Sequence, residues 1–200
     1  MKKTRSLLVL TLLALALAGC AEVQTMFSGP DRRSTGTMID DEGIELRTTH
    51  RVDERFKNTV HINVTSYNRT VLLTGEVPNQ AAKAEIEKIA AGAGTVRSIT
   101  NELQVIDATS LASRANDTTI TGKVKARFVD AAKFSALMVK VVTENSVVYL
   151  MGIVTEAEAN DAVELARTTS GVKKVVKVFE YCRPSDAICQ PRARAEEPKK

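Results

Sequence analysis

The sequence predicts an α+β protein made of two tandem copies of one small module. Each copy runs α-β-β-α-β, with a small three-stranded sheet packed against two helices. Three observations carry this. The stretch Val147-Val148-Tyr149-Leu150-Met151-Gly152-Ile153-Val154 has an earlier echo in Thr70-Val71-Leu72-Leu73-Thr74-Gly75-Glu76-Val77, the two glycines lying 77 residues apart. An alternating strand precedes each copy (Val60, Ile62, Val64; then Leu137, Val139, Val141). A helix-period stretch follows (Ala82, Ile86, Ile89; then Ala159, Val163, Ala166), and a Val-x-x-aliphatic strand closes the unit (Val96 to Ile99; Val172 to Val175). A repeat settles the architecture before any single element does.

Residues 1–19 read as a lipoprotein signal peptide. Lys2, Lys3 and Arg5 precede an apolar run, Leu7 to Leu17, that is too short to span a bilayer as a mature helix. It ends in Leu17-Ala18-Gly19-Cys20, which resembles a bacterial lipoprotein box. Small residues fit a peptidase groove, and the Cys20 thiol can take a thioether-linked diacylglyceryl group. An ordinary secretory signal with an incidental cysteine is the alternative. Ala21, where such lipoproteins carry Asp for inner-membrane retention, implies outer-membrane export. Each buried methylene of the acyl chains contributes ~0.8 kcal/mol, so several chains make a stable anchor.

Residues 20–41 carry Gly29-Pro30 and Asp31-Arg32-Arg33-Ser34-Thr35-Gly36 with little periodicity, and read as a flexible tether. The first module spans 42–107. Ile44, Thr48 and Val52 lie four apart on one helix face. The next strand alternates, so His61, Asn63 and Thr65 face away from the core. Tyr67-Asn68-Arg69-Thr70 is a hairpin turn. Pro78-Asn79-Gln80 stops the second strand and starts a helix from Ala81 to about Ala91, which the glycines at 92 and 94 end. Val96 to Val105 closes the module, and 108–116 is a linker.

The second module, 117–181, repeats this order. Asp117 and Thr118 can cap a helix whose buried face is Ile120, Val124 and Phe128. Glu144-Asn145-Ser146 is the turn; Thr155 caps a helix running to about Arg167, with Glu156 and Glu158 in its first turn where the dipole favours them. Val172 to Tyr181 closes the unit. In the tail, 182–200, Cys182 and Cys189 form an even pair once Cys20 is consumed by lipid. In an oxidising compartment they are expected to bridge, two free thiols being the alternative.

This arrangement resembles the BON-domain family, named for bacterial outer-membrane and nodulation proteins. The residues carrying the match are the Val-Val-Tyr-Leu-Met-Gly and Val-Leu-Leu-Thr-Gly strands, Ser170-Gly171-Val172-Lys173-Lys174-Val175, Asn63-Val64-Thr65-Ser66-Tyr67 and Val142-Thr143-Glu144-Asn145. A lipobox followed by two such modules is similar to the dual-BON lipoproteins of Gram-negative envelopes. The resemblance implies a non-enzymatic outer-membrane lipoprotein with its domains facing the periplasm. It implies binding to an anionic phospholipid membrane and support of envelope integrity.

The residues add a location. The chain's formal charge of +4 falls to 25 basic against 24 acidic residues without Lys2, Lys3 and Arg5, so net charge makes no case for nucleic acid. The modules differ, however. Asp40 to Asp107 holds 8 basic and 11 acidic residues, a net −3, and Ser110 to Tyr181 holds 10 and 8, a net +2. Anionic headgroups therefore select the second module. Its first helix carries Thr119, Gly122, Ala126 and Val129 opposite the buried stripe, Lys133 below, and Lys123 and Lys125 as flanks. A weakly apolar strip between lysines suits shallow interfacial contact; an ordinary solvated helix face is the alternative. Lipid-binding relatives carry an aromatic residue where Thr119 stands. No catalytic constellation, cofactor motif or metal spacing appears, and His61 is read as a solvated strand residue. A protein-interaction adaptor, with an envelope protein partner in outer-membrane assembly or cell-wall remodelling, is the other function class.

Overall fold

The computed structural model describes residues 31–57, 59–106 and 110–190. The first module comprises α1 (Thr35–Phe56), β1 (His61–Tyr67), β2 (Thr70–Val77), α2 (Gln80–Ala91), β3 (Ser98–Asn101) and β4 (Gln104–Val105). The second comprises α3 (Leu111–Ala131), a short 3-10 turn (Ala136–Met138), β5 (Lys140–Glu144), β6 (Val147–Val154), α4 (Glu156–Arg167) and β7 (Lys174–Tyr181). The repeated stretch is the middle strand of each sheet. β2 is antiparallel to β1 and parallel to β3 and β4; β6 is antiparallel to β5 and parallel to β7. The first module's closing strand is divided, because Leu103 turns into the core and its carbonyl accepts from Lys83 Nζ at 2.7 Å.

The repeated glycine has a steric cause. A Cβ on Gly75 would collide with the His61 carbonyl oxygen, and one on Gly152 with the Met138 carbonyl oxygen. A glycine in a strand interior marks such a close backbone approach.

Two boundaries differ from the sequence expectation. Helix α1 begins at Thr35, capped by Ser34, inside the stretch expected to be tether. Helix α3 begins at Leu111, capped by Ser110, inside the expected linker. Asp117 is consequently a mid-helix residue and not a cap. Its buried carboxylate accepts from the Asn145 and Ser146 amides at 2.9 and 2.8 Å. Asp41 does the same for Asn68 and Arg69, at 2.9 and 2.7 Å. Both turns hold two consecutive residues at positive φ, 51° and 63° in the first and 51° and 65° in the second. Such turns match the twist of a hairpin, and each exposes two amides that the helix carboxylate satisfies.

Val71, Leu73 and Val77 of β2, and Val148, Leu150 and Val154 of β6, pack on their own helices. The alternate residues pack on the other module. Tyr67 and Leu72 meet Tyr149, Met151 and Ile153, with Val142, Val147, Val176 and Val178 around them. The layers therefore run helix, sheet, sheet, helix. His61, Asn63 and Thr65 do point away from their own core, toward the second module, which covers them to different degrees: Thr65 is buried, His61 half-buried, and Asn63 stays exposed while its Nδ2 donates to Glu144 at 2.8 Å. Burying each large apolar side chain of this seam contributes roughly 1.5–3 kcal/mol.

Polar contacts tie the rim. Lys140 Nζ reaches Glu45 at 2.8 Å, and Glu180 accepts from Asn68 and Arg97 at 2.6 and 3.1 Å. The segment before α1 acts as a strap. Buried Arg32 donates to Glu158 at 2.7 and 3.0 Å, to the Ile153 carbonyl at 2.9 Å and to the Cys189 carbonyl at 3.1 Å. Arg33 pairs with Asp31 and Asp41 at 2.7 and 2.9 Å and lies over the Tyr67 ring, 4.1 Å from its centroid. The two arginines hold the fold together and are not available to headgroups.

Candidate functional site

On α3, Thr119, Gly122, Lys123, Lys125, Ala126 and Val129 are all exposed, opposite buried Asp117, Ile120, Val124 and Phe128. At about 100° per residue, Leu111, Ala115, Thr119, Gly122, Ala126 and Val129 share the outward face. Leu111 is 80% exposed and Val129 54%. The strip is therefore two turns longer than the sequence reading made it, roughly 27 Å at 1.5 Å per residue. Leu111 and Ala115 were missed because the helix start was placed at Asp117; Ser110 followed by Leu111-Ala112 is the capping signal that could have found them. Lys123 and Lys125 flank the strip on opposite sides. Lys133 pairs with Asp161 at 2.6 Å, and Thr119 turns its hydroxyl back to the Ala115 carbonyl at 3.0 Å. A Cβ on Gly122 would meet nothing within 4 Å, so packing places no demand for glycine there.

The same face of α1 differs. It exposes Ile39 and Leu46, at 65% and 72%, beside Glu42, Asp53 and Glu54. Its cations are engaged: Arg47 donates to the Ala93 carbonyl at 2.6 Å and Arg51 to the Gly92 carbonyl at 2.7 Å, closing the end of α2.

A second cluster lies between the modules. His61 of β1, Glu76 of β2 and Glu144 of β5 place ligand-type atoms within 4.8 Å of one another. Glu76 and Glu144 are buried and His61 half-buried. Burial pushes the Glu144 carboxyl above the usual range; a hydrogen bond from Asn63 opposes this and the charge of Glu76 adds to it. Sequence spacing gave no sign of the cluster, because its members come from three strands of two modules.

Cys182 and Cys189 are bridged, with Cα atoms 6.0 Å apart, and this closed loop presents the carbonyl that Arg32 holds. Cys20 and the signal segment lie outside the described residues. Among the described residues, no helix is long and apolar enough to cross a membrane.

The model of the BON domain matches residues 40–107 and again 116–183. The chain belongs to the BON-domain family. It is 41% identical over 153 residues to the outer membrane lipoprotein DolP of Haemophilus influenzae, covering 76% of this chain and 79% of that protein. To the 21 kDa hemolysin of Actinobacillus pleuropneumoniae it is 38% identical, over the same shares of each. Among solved structures, the type III secretion protein CdsD of Chlamydia trachomatis aligns at 14% identity over 67% of this chain and 91% of that one. Its TM-score of 0.29 is too low to build on. The α3 strip belongs to the second BON module, and the His61 cluster is shared by both.

Proposed function

We propose that this protein is an outer-membrane lipoprotein, acylated at Cys20, whose BON modules face the periplasm and bind anionic phospholipid through α3, supporting envelope integrity. It acts as a binding protein and not an enzyme. The observation that carries the reading is the α3 face. It is an exposed, shallow apolar strip ending in Leu111 and Val129, bordered by Lys123 and Lys125, on the module of net +2. Leu and Val can enter the interface while lysine stems lie along it with ammonium groups at the phosphates. Leu111 supplies at the strip's end some of the apolar bulk that Thr119 lacks. The Lys133–Asp161 pair is exposed, and pairs of that kind are worth at most about 1 kcal/mol, so a headgroup can compete for it. The relative named an outer membrane lipoprotein supports the anchoring half of the reading. Exposed Ile39 and Leu46 on α1 favour a second reading, an adaptor that holds an envelope protein partner on the first module.

Flotation with liposomes separates the two. The unacylated Cys20→Ser chain is expected to float with phosphatidylglycerol vesicles and not with phosphatidylcholine. Lys123→Glu with Lys125→Glu exchanges two attractive charges for two repulsive ones, a swing of up to about 4 kcal/mol at ~1 kcal/mol per charge. Even half of that is a loss of more than tenfold, and it should shrink as salt screens the surface. Lys57→Glu with Lys88→Glu, two exposed lysines of the first module, should change little. Equal losses from both pairs, or no loss from the α3 pair in a natively folded chain, would reject α3 as the lipid surface.

A further inference from the structure

We propose that His61, Glu76 and Glu144 form a divalent-metal site, suited to Zn²⁺, that bridges the two modules. An imidazole and two carboxylates are a donor set that zinc accepts, with water completing a tetrahedron, and their ligand atoms lie within 4.8 Å of one another. The glutamates are 1% and 3% exposed. A dication is a ligand that can meet two buried carboxylates at once. Each carboxylate is oriented by an asparagine amide: Asn145 Nδ2 donates to Glu76 Oε1 at 3.2 Å, and Asn63 Nδ2 to Glu144 Oε2 at 2.8 Å. Such oriented ligands are what a metal site needs beyond the right donor types.

The duplication supplies a control. At the 77-residue offset, the counterparts of His61, Glu76 and Glu144 are Met138, Ile153 and Tyr67. These meet at the other end of the seam, where the Tyr67 hydroxyl donates to the Met138 carbonyl at 3.4 Å and Arg32 to that of Ile153. The fold is thus content with Met, Ile and Tyr in these places, so sheet packing does not explain a histidine and two buried glutamates. A cavity of about 310 Å³ lined by His61, Asn63, Thr121, Thr143 and Glu144 adjoins the cluster and gives an ion a way in. Arg114 and Asp117, one cation and one anion, also line it. Because the donors come from β1, β2 and β5, the site exists only when the modules are docked, and an ion bound there stabilises the docked pair by mass action.

The test uses the full mature chain in detergent, stripped with a chelator, desalted and titrated with Zn²⁺ alone. The expected result is one Zn²⁺ per chain and a rise in the thermal unfolding midpoint. Glu144→Gln and His61→Ala should each weaken binding at least about tenfold and abolish the thermal rise. His50→Ala, which removes the exposed His50–Glu54 pair, should leave both intact. If His61→Ala does not fold, Glu144→Gln carries the test, since it keeps shape while removing a charge. Absence of saturable binding in a natively folded chain would overturn the site. Binding that survives Glu76→Gln with Glu144→Gln would place the metal elsewhere and overturn it equally.

Discussion

Asp41 and Asp117 show what a single residue does in this fold. Each sits inside a long helix, out of water, and each accepts from two consecutive turn amides. Hydrogen bonds to a charged acceptor contribute about 1.5–3 kcal/mol each, and a buried amide left without a partner carries its full desolvation penalty. Asp117→Ala should therefore cost roughly 3 kcal/mol or more in urea unfolding, while exposed Asp130→Ala on the same helix stays within about 0.5 kcal/mol. Equal effects of the two would show that the turn finds other partners. The sequence displayed Asp117 near a helix start and suggested a cap. It could not display a hairpin returning to that carboxylate 28 residues later. The alternation of β1 likewise gives His61 its parity but not its surroundings, since what covers a strand face is decided by distant chain.

Helix α4 shows how an element's end is joined to the rest of the molecule. Thr155 and Glu158 form a reciprocal capping box, and Glu158 also receives Arg32. Burial alone would raise the Glu158 carboxyl; the hydrogen bonds from Arg32 and Thr155 outweigh it and hold it below the usual glutamate range. A carboxyl whose folded value is depressed contributes stability that is present above its unfolded value of about 4.3 and is lost as pH falls through the folded value. The midpoint of thermal unfolding should thus fall more steeply on acidification below about pH 4.3 in the wild-type chain than in Glu158→Gln. Parallel curves would remove the strap from the acid response. The cap was legible in Thr155-Glu156-Ala157-Glu158; the strap was not, because Arg32 lies 126 residues away among residues that read as tether. One further sign was present in the sequence. Val147 to Ile153 is apolar at both parities, and a strand of that kind has both faces covered.

At the scale of the molecule, the two modules share a seam instead of hanging from a linker. Tyr149, Met151 and Ile153 give no surface to their own helices; their burial depends on Tyr67 and Leu72 of the other sheet. Arg32 adds a strap between the segment before α1, the end of β6, α4 and the disulfide loop. Neither module can lose its fold without exposing part of the other's core, so the pair should unfold as one cooperative unit. In urea, far-ultraviolet circular dichroism and tyrosine fluorescence should give coincident transitions, since two of the three tyrosines, Tyr67 and Tyr149, lie at the seam. Met151→Lys sets an unpaired charge between the sheets and leaves both helix-facing cores untouched. That variant should lose the coincidence, with a shallower transition as each module unfolds over its own smaller surface. Separate transitions already in the wild-type chain, or an unchanged slope in Met151→Lys, would mean that each module is stable alone and that the seam contributes little to holding the fold.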